Sequence, residues 1–80
     1  MNIQVNLYAA ARHAVGQESV SVNAESLNEL RANLITAFPA LETIVPQCSL
    51  LVDGLSYGRE TDTPLAEGVR IDVMPPFSGG

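Results

Sequence analysis

Val69-Arg70-Ile71-Asp72-Val73-Met74-Pro75-Pro76-Phe77-Ser78-Gly79-Gly80 ends the 80-residue sequence. Its first half alternates strictly. Val69, Ile71 and Val73 fall on one face, and Arg70, Asp72 and Met74 on the other, the period-two mark of a strand with one buried face. Pro75-Pro76 stop the strand, because a proline has no N–H to give to a ladder. An aromatic, a small residue and two glycines follow at the terminal carboxyl group. Without side chains, Gly79 and Gly80 can enter a narrow channel and take dihedrals closed to other residues. A strand that ends in such a tail calls for a sheet to hold it.

The rest of the chain supplies that sheet. Asn2 to Tyr8 alternates in the same way, with Ile3, Val5 and Leu7 predicted inward and Asn2, Gln4, Asn6 and Tyr8 on the other face. Ala9 to Val15 is alanine-rich and reads as a short helix that Gly16 ends in the left-handed conformation. Val20 and Val22 mark an antiparallel return strand. Ser26-Leu27-Asn28-Glu29 fits a capping box, with the serine hydroxyl accepting from the Glu29 amide and the glutamate reaching back. Leu27, Leu30 and Leu34 then recur at helical spacing, with Ala37, Phe38 and Leu41 extending the stripe. Pro39 ends the helix, and an irregular connection runs to Pro46. Ser49 to Val52 is a short apolar strand closed by the turn pair Asp53-Gly54. Leu55 to Arg59 returns, and a second turn at Glu67-Gly68 leads into the last strand.

One amphipathic helix and four or five strands make a two-layer α+β domain. The helix covers one face of the mixed sheet. The other face meets either water or a partner, and Tyr8, Met74 and either Leu55 or Tyr57 are the residues expected there. There are no internal repeats. The division is a domain over 1–75 and a flexible tail over 76–80.

Composition narrows the function. Hydrophobic residues make up 46% and charged residues 16%, enough apolar content to fold. Nine acids, four scattered arginines and no lysine give a net charge of -5, which argues against a nucleic-acid surface and for a partner with a basic face. No apolar run approaches the roughly 20 residues of a membrane span, and no secretory signal is visible, so a cytoplasmic location is expected. His13 is the only histidine and Cys48 the only cysteine, so neither a zinc cluster nor an internal disulfide is expected. The plain readings are a solvated His13 near a helix end and a buried, inert Cys48.

A terminal carboxylate is unreactive until ATP converts it to an acyl-adenylate. The chain has no glycine-rich phosphate loop followed by Lys-Ser or Lys-Thr, so it is non-catalytic alone. The pattern is that of a carried substrate.

The strand–strand–helix–strand order, Thr63-Pro64-Leu65-Ala66-Glu67-Gly68 before the last strand, Tyr8-Ala9-Ala10-Ala11-Arg12 at the start and Met74-Pro75-Pro76-Phe77-Ser78-Gly79-Gly80 at the end resemble the ubiquitin-like sulfur carriers. Among these, the small subunits of molybdopterin synthase are the nearest in pattern, and the likeness covers essentially the whole chain. It implies a β-grasp fold. It implies that an E1-like enzyme, using ATP and magnesium, adenylates the Gly80 carboxylate, which then becomes a thiocarboxylate. No cofactor would be bound by the carrier itself. The tail would insert into the large synthase subunit, in a heterotetramer, and give sulfur to a pyranopterin precursor in molybdenum cofactor biosynthesis. Gly80 would carry the reactive group, with Gly79, Phe77, Pro76, Pro75 and Met74 contacting the partner. The turn Glu67-Gly68-Val69 departs from the Asp-Gly-Asp or Asp-Gly-Glu of relatives, and the region from Leu55 to Thr63 is slightly long. Three alternatives stay open: a carrier for another pathway (thiamine thiazole, cysteine or a natural product), a ubiquitin-like modifier that forms isopeptides through Gly80, and a binding module with an accidental Gly-Gly end.

Overall fold

The computed structural model describes residues 1–58 and 61–75. Five strands form one mixed sheet in the order β2-β1-β5-β3-β4. These are β1 (Asn2–Leu7), β2 (Ser19–Asn23), β3 (Ser49–Val52), β4 (Leu55–Tyr57) and β5 (Ile71–Met74). Two helices join them, α1 (Ala9–Val15) and α2 (Leu27–Ala37).

The sheet is built from two antiparallel hairpins with β5 between them. β1 pairs β2 antiparallel, with Ile3 opposite Val22 and Val5 opposite Val20. β3 pairs β4 across the Asp53-Gly54 turn, where both residues have positive φ, 50° and 88°. That is the backbone a two-residue hairpin needs, and Gly54 accepts it without a Cβ penalty. β5 enters the middle, parallel to β1 and antiparallel to β3. The last described element is thus locked by ladders on both sides.

α2 covers one face. Leu27, Leu30 and Leu34 are fully buried against Ile3, Val5, Leu7, Leu50, Ile71 and Val73, which the strands present at alternate positions. Ser26 caps α2 as expected, its hydroxyl accepting from the Glu29 N–H at 3.2 Å. The reciprocal arm differs. The Glu29 carboxylate accepts from the Glu25 N–H at 2.6 Å, one residue earlier than a capping box predicts. Asp62 adds a third cap, accepting from the Asn28 N–H at 2.8 Å, so two carboxylates lie at the positive end of the helix. Ala37 is exposed rather than part of the apolar stripe, while Phe38 packs against the core and Leu41 is buried in a 3₁₀ turn at Pro39–Leu41. A second 3₁₀ turn covers Val45–Gln47.

Gly16 ends α1 at φ 83° as expected. His13 is exposed in the last turn. Cys48 is half-buried rather than buried; its thiol donates to the Ile44 carbonyl at 3.2 Å, and burial pushes its pKa up. No helix among the described residues is long and apolar enough to cross a membrane.

Candidate functional site

The sheet face opposite α2 carries no covering element among the described residues. Strand register fixes what it presents. Asn6 lies beside Asp72 on β5, and Asp72 lies beside Leu51 on β3. Met74 lies beside Ser49. Tyr8 follows β1 at the same end. Met74, Tyr8 and Leu51 are each half-buried.

Tyr8 and Met74 therefore stand where the sequence placed them. Leu55 and Tyr57 do not. Tyr57 is opposite Leu50 and Leu55 opposite Val52, and both partners belong to the helix-side face. Tyr57 packs against the core, and Leu55, at 65% exposure, projects from the sheet's edge. Leu51 takes their place on the open face. The apolar run Leu50-Leu51-Val52 hides it, because a continuous run does not declare its faces.

Asp72 is the main departure from the alternation. Its register puts it on the open face, yet it is only 3% exposed. Three donors enclose it. Asn6 Nδ2 and Tyr8 Oη donate to Oδ1 at 3.0 and 3.1 Å, and Arg70 Nε donates to Oδ2 at 3.0 Å. A carboxylate on a sheet surface is tolerated at such depth only when its lone pairs are met in this way. The Asp72 charge, with Tyr8 beside it, holds the Arg70 guanidinium above its ordinary pKa. The Arg70 backbone is clamped as well: its N–H donates to Asp53 Oδ1 and its carbonyl accepts from the Asp53 N–H, both at 2.9 Å. The sequence alone could flag this cluster only if β1 and β5 were known to pair, since Asn6 and Asp72 are 66 positions apart.

Of the expected site residues, Met74 and Pro75 are half-buried at the end of β5. Pro76, Phe77, Gly79 and Gly80 lie outside the described residues. Among the described residues no group of three or more His, Cys, Asp or Glu side chains could hold a metal ion. A depression of about 390 Å³ beside Cys48, lined by Gln47, Ser49, Ser56 and Tyr57 among others, has no charged side chain among the described residues that line it.

A sheet that wraps one main helix, with a parallel central pair and its last strand in the middle, defines a β-grasp, ubiquitin-like protein. Solved structures agree. The chain superposes on the small archaeal modifier protein SAMP1 of Haloferax volcanii with a TM-score of 0.83 at 23% identity, over all of both chains. It superposes with a TM-score of 0.72 at 25% identity, again over all of both chains, on a chain from the complex of subunits 1 and 2 of molybdopterin-converting factor from Helicobacter pylori. In sequence it is 25% identical over 83 residues, covering both proteins fully, to the molybdopterin synthase sulfur carrier subunit of Chlamydomonas reinhardtii. The ThiS family model matches residues 5–80, and the chain belongs to that family of ubiquitin-like sulfur carriers.

Proposed function

We propose that this protein is the sulfur-carrying small subunit of a molybdopterin synthase. The Gly80 carboxylate attacks the α-phosphorus of ATP on an E1-like enzyme and releases pyrophosphate. A sulfur nucleophile then displaces AMP from the acyl carbon, leaving a thiocarboxylate. The loaded tail enters the large synthase subunit and gives its sulfur to a pyranopterin precursor. Two loaded carriers, acting in turn, complete a dithiolene.

The observation that carries this reading is the family match, which runs through the terminal Gly79-Gly80. The curated relative in molybdopterin synthesis supports the choice of pathway. Geometry adds a constraint. The five residues after Pro75 can reach at most about 17 Å when fully extended. An acceptor site in another protein must therefore lie close to the end of β5, and that protein must rest against the domain. The open face with Tyr8, Leu51 and Met74 is the surface beside that exit.

The test is reconstitution. Thiocarboxylated chain is mixed with the large synthase subunit of the same organism and the cyclic pyranopterin precursor. Formation of dithiolene, with the chain returned as carboxylate, supports the reading. Sulfur transfer to a thiazole precursor instead would overturn the pathway while keeping the carrier chemistry. The second reading, a modifier, requires conjugates of higher mass that survive denaturant and reductant. With no lysine, this chain could donate to such conjugates but not accept them through a side chain.

A further inference from the structure

Arg70 is more than the partner of Asp72. Its Nε is engaged with Asp72 and the Tyr8 hydroxyl lies beside the guanidinium, which leaves terminal N–H donors for a further acceptor. The side chain is 66% exposed. It borders a depression of about 270 Å³ on the open face, lined by Gln4, Asn6, Gly68, Val69 and Arg70. A fixed guanidinium and two side-chain amides around a hollow of that size suit one carboxylate-bearing side chain.

We propose that this depression receives an acidic side chain of the large synthase subunit, whose carboxylate is taken by the terminal nitrogens of Arg70. The inference rests on the large-subunit reading above and adds a recognition point to it. The position of Arg70, its contacts and the charge of the chain support it. The Arg70 backbone is held by Asp53 and its Nε by Asp72, so little freedom is lost on binding. Asp72 is also satisfied by Asn6 and Tyr8, so its charge does not consume the whole guanidinium. Arg70 immediately precedes β5, the strand that leads to the tail, and is four residues before Met74, about 13 Å away at strand rise. An ordinary interface covers on the order of 800 Å² per partner, a patch nearly 30 Å across, so a protein that takes the tail and lies on this face reaches Arg70. On a protein of net charge -5, a positioned cation at that point would set the register of a largely basic partner.

The experiment measures the dissociation constant of the full chain with the large synthase subunit of the same organism, across a salt series. Arg70→Ala should weaken binding at least tenfold and flatten the salt dependence. Arg70→Glu should weaken it further, and Arg70→Lys should recover part of the loss. Gln4→Glu puts a carboxylate on the wall of the depression without touching the Arg70–Asp72 pair, and should also weaken binding. Thermal unfolding of each variant checks the fold, and Gln4→Glu keeps the test alive if an Arg70 variant unfolds. If the unaltered chain binds and neither Arg70→Glu nor Gln4→Glu changes affinity, the inference falls and the large-subunit reading stands. Weakening by Arg70→Ala with an unchanged salt dependence would indicate a neutral acceptor and overturn the acidic partner. No binding by the unaltered chain would overturn both.

Discussion

Replacing Asp72 by alanine should destabilise the domain by about 2 kcal/mol, through the loss of a buried hydrogen-bond acceptor rather than of a salt bridge. Asp72 accepts from Asn6, Tyr8 and Arg70, and its side chain is 4% exposed. Hydrogen bonds to a charged group contribute about 1.5–3 kcal/mol each, so the Asn6 and Tyr8 bonds bound the loss at about 3–6 kcal/mol. Both donors are half-buried and can turn part-way to water, which brings the expectation below that range, to about 2 kcal/mol. The Arg70 arm adds little, because the guanidinium already stands in solvent. For a domain of this size the change lowers Tm by about 10 °C. Asp72→Asn keeps the shape and an acceptor oxygen for Asn6 and Tyr8, and should cost clearly less. Urea unfolding of the two variants, followed by circular dichroism, reads the difference directly. A neutral Asp72→Ala, or an Asp72→Asn more damaging than Asp72→Ala, would refute this account of the cluster.

Three further outcomes follow from the fold. Leu34, fully buried in the centre of α2, should lose about 3 kcal/mol of stability on replacement by alanine, read as a lower urea midpoint with unchanged m-value. Ser26→Ala removes the acceptor for the Glu29 N–H and should cost about 1 kcal/mol by the same assay. Cys48 has its thiol pKa raised by burial, so its neutral form is favoured in the native state and stability falls as pH rises past the ordinary thiol range. At a pH of about 8.5, where a free thiol is half ionised, iodoacetamide should label the native chain more slowly than the urea-unfolded chain, and equal rates would contradict that.

Strand identities, the α2 stripe and both turns are readable locally, because each depends on a few adjacent residues. Ile3, Val5 and Leu7 show their face through alternation, and Asp53-Gly54 shows its turn through residues that tolerate positive φ. What is not local is not readable in the same way. The parallel pairing of β1 with β5 joins the two ends of the chain, and no periodicity announces it. The likeness to a known family implied the β-grasp fold, and the register then assembled Asn6, Tyr8, Arg70 and Asp72 into one cluster. Alternation alone made Asp72 a solvent-facing residue, whereas its neighbours bury it. Leu51 was hidden for the opposite reason, inside a run too apolar to reveal a face. The Glu29 arm went to Glu25 instead of Ser26, a difference of one residue that capping patterns do not resolve. Of the tail, the sequence supplies the chemistry, and the described residues fix only the strand that delivers it.

The central claim is that the terminal glycine carries sulfur. Its most direct test is the intact mass of the full chain after incubation with ATP, magnesium, the E1-like enzyme of the same organism and a sulfur donor, with alkylation before analysis. The account predicts a gain equal to one oxygen-for-sulfur exchange, localised to Gly80 and lost when Gly80 is deleted. An unchanged mass, with an enzyme shown to adenylate this chain, would contradict it.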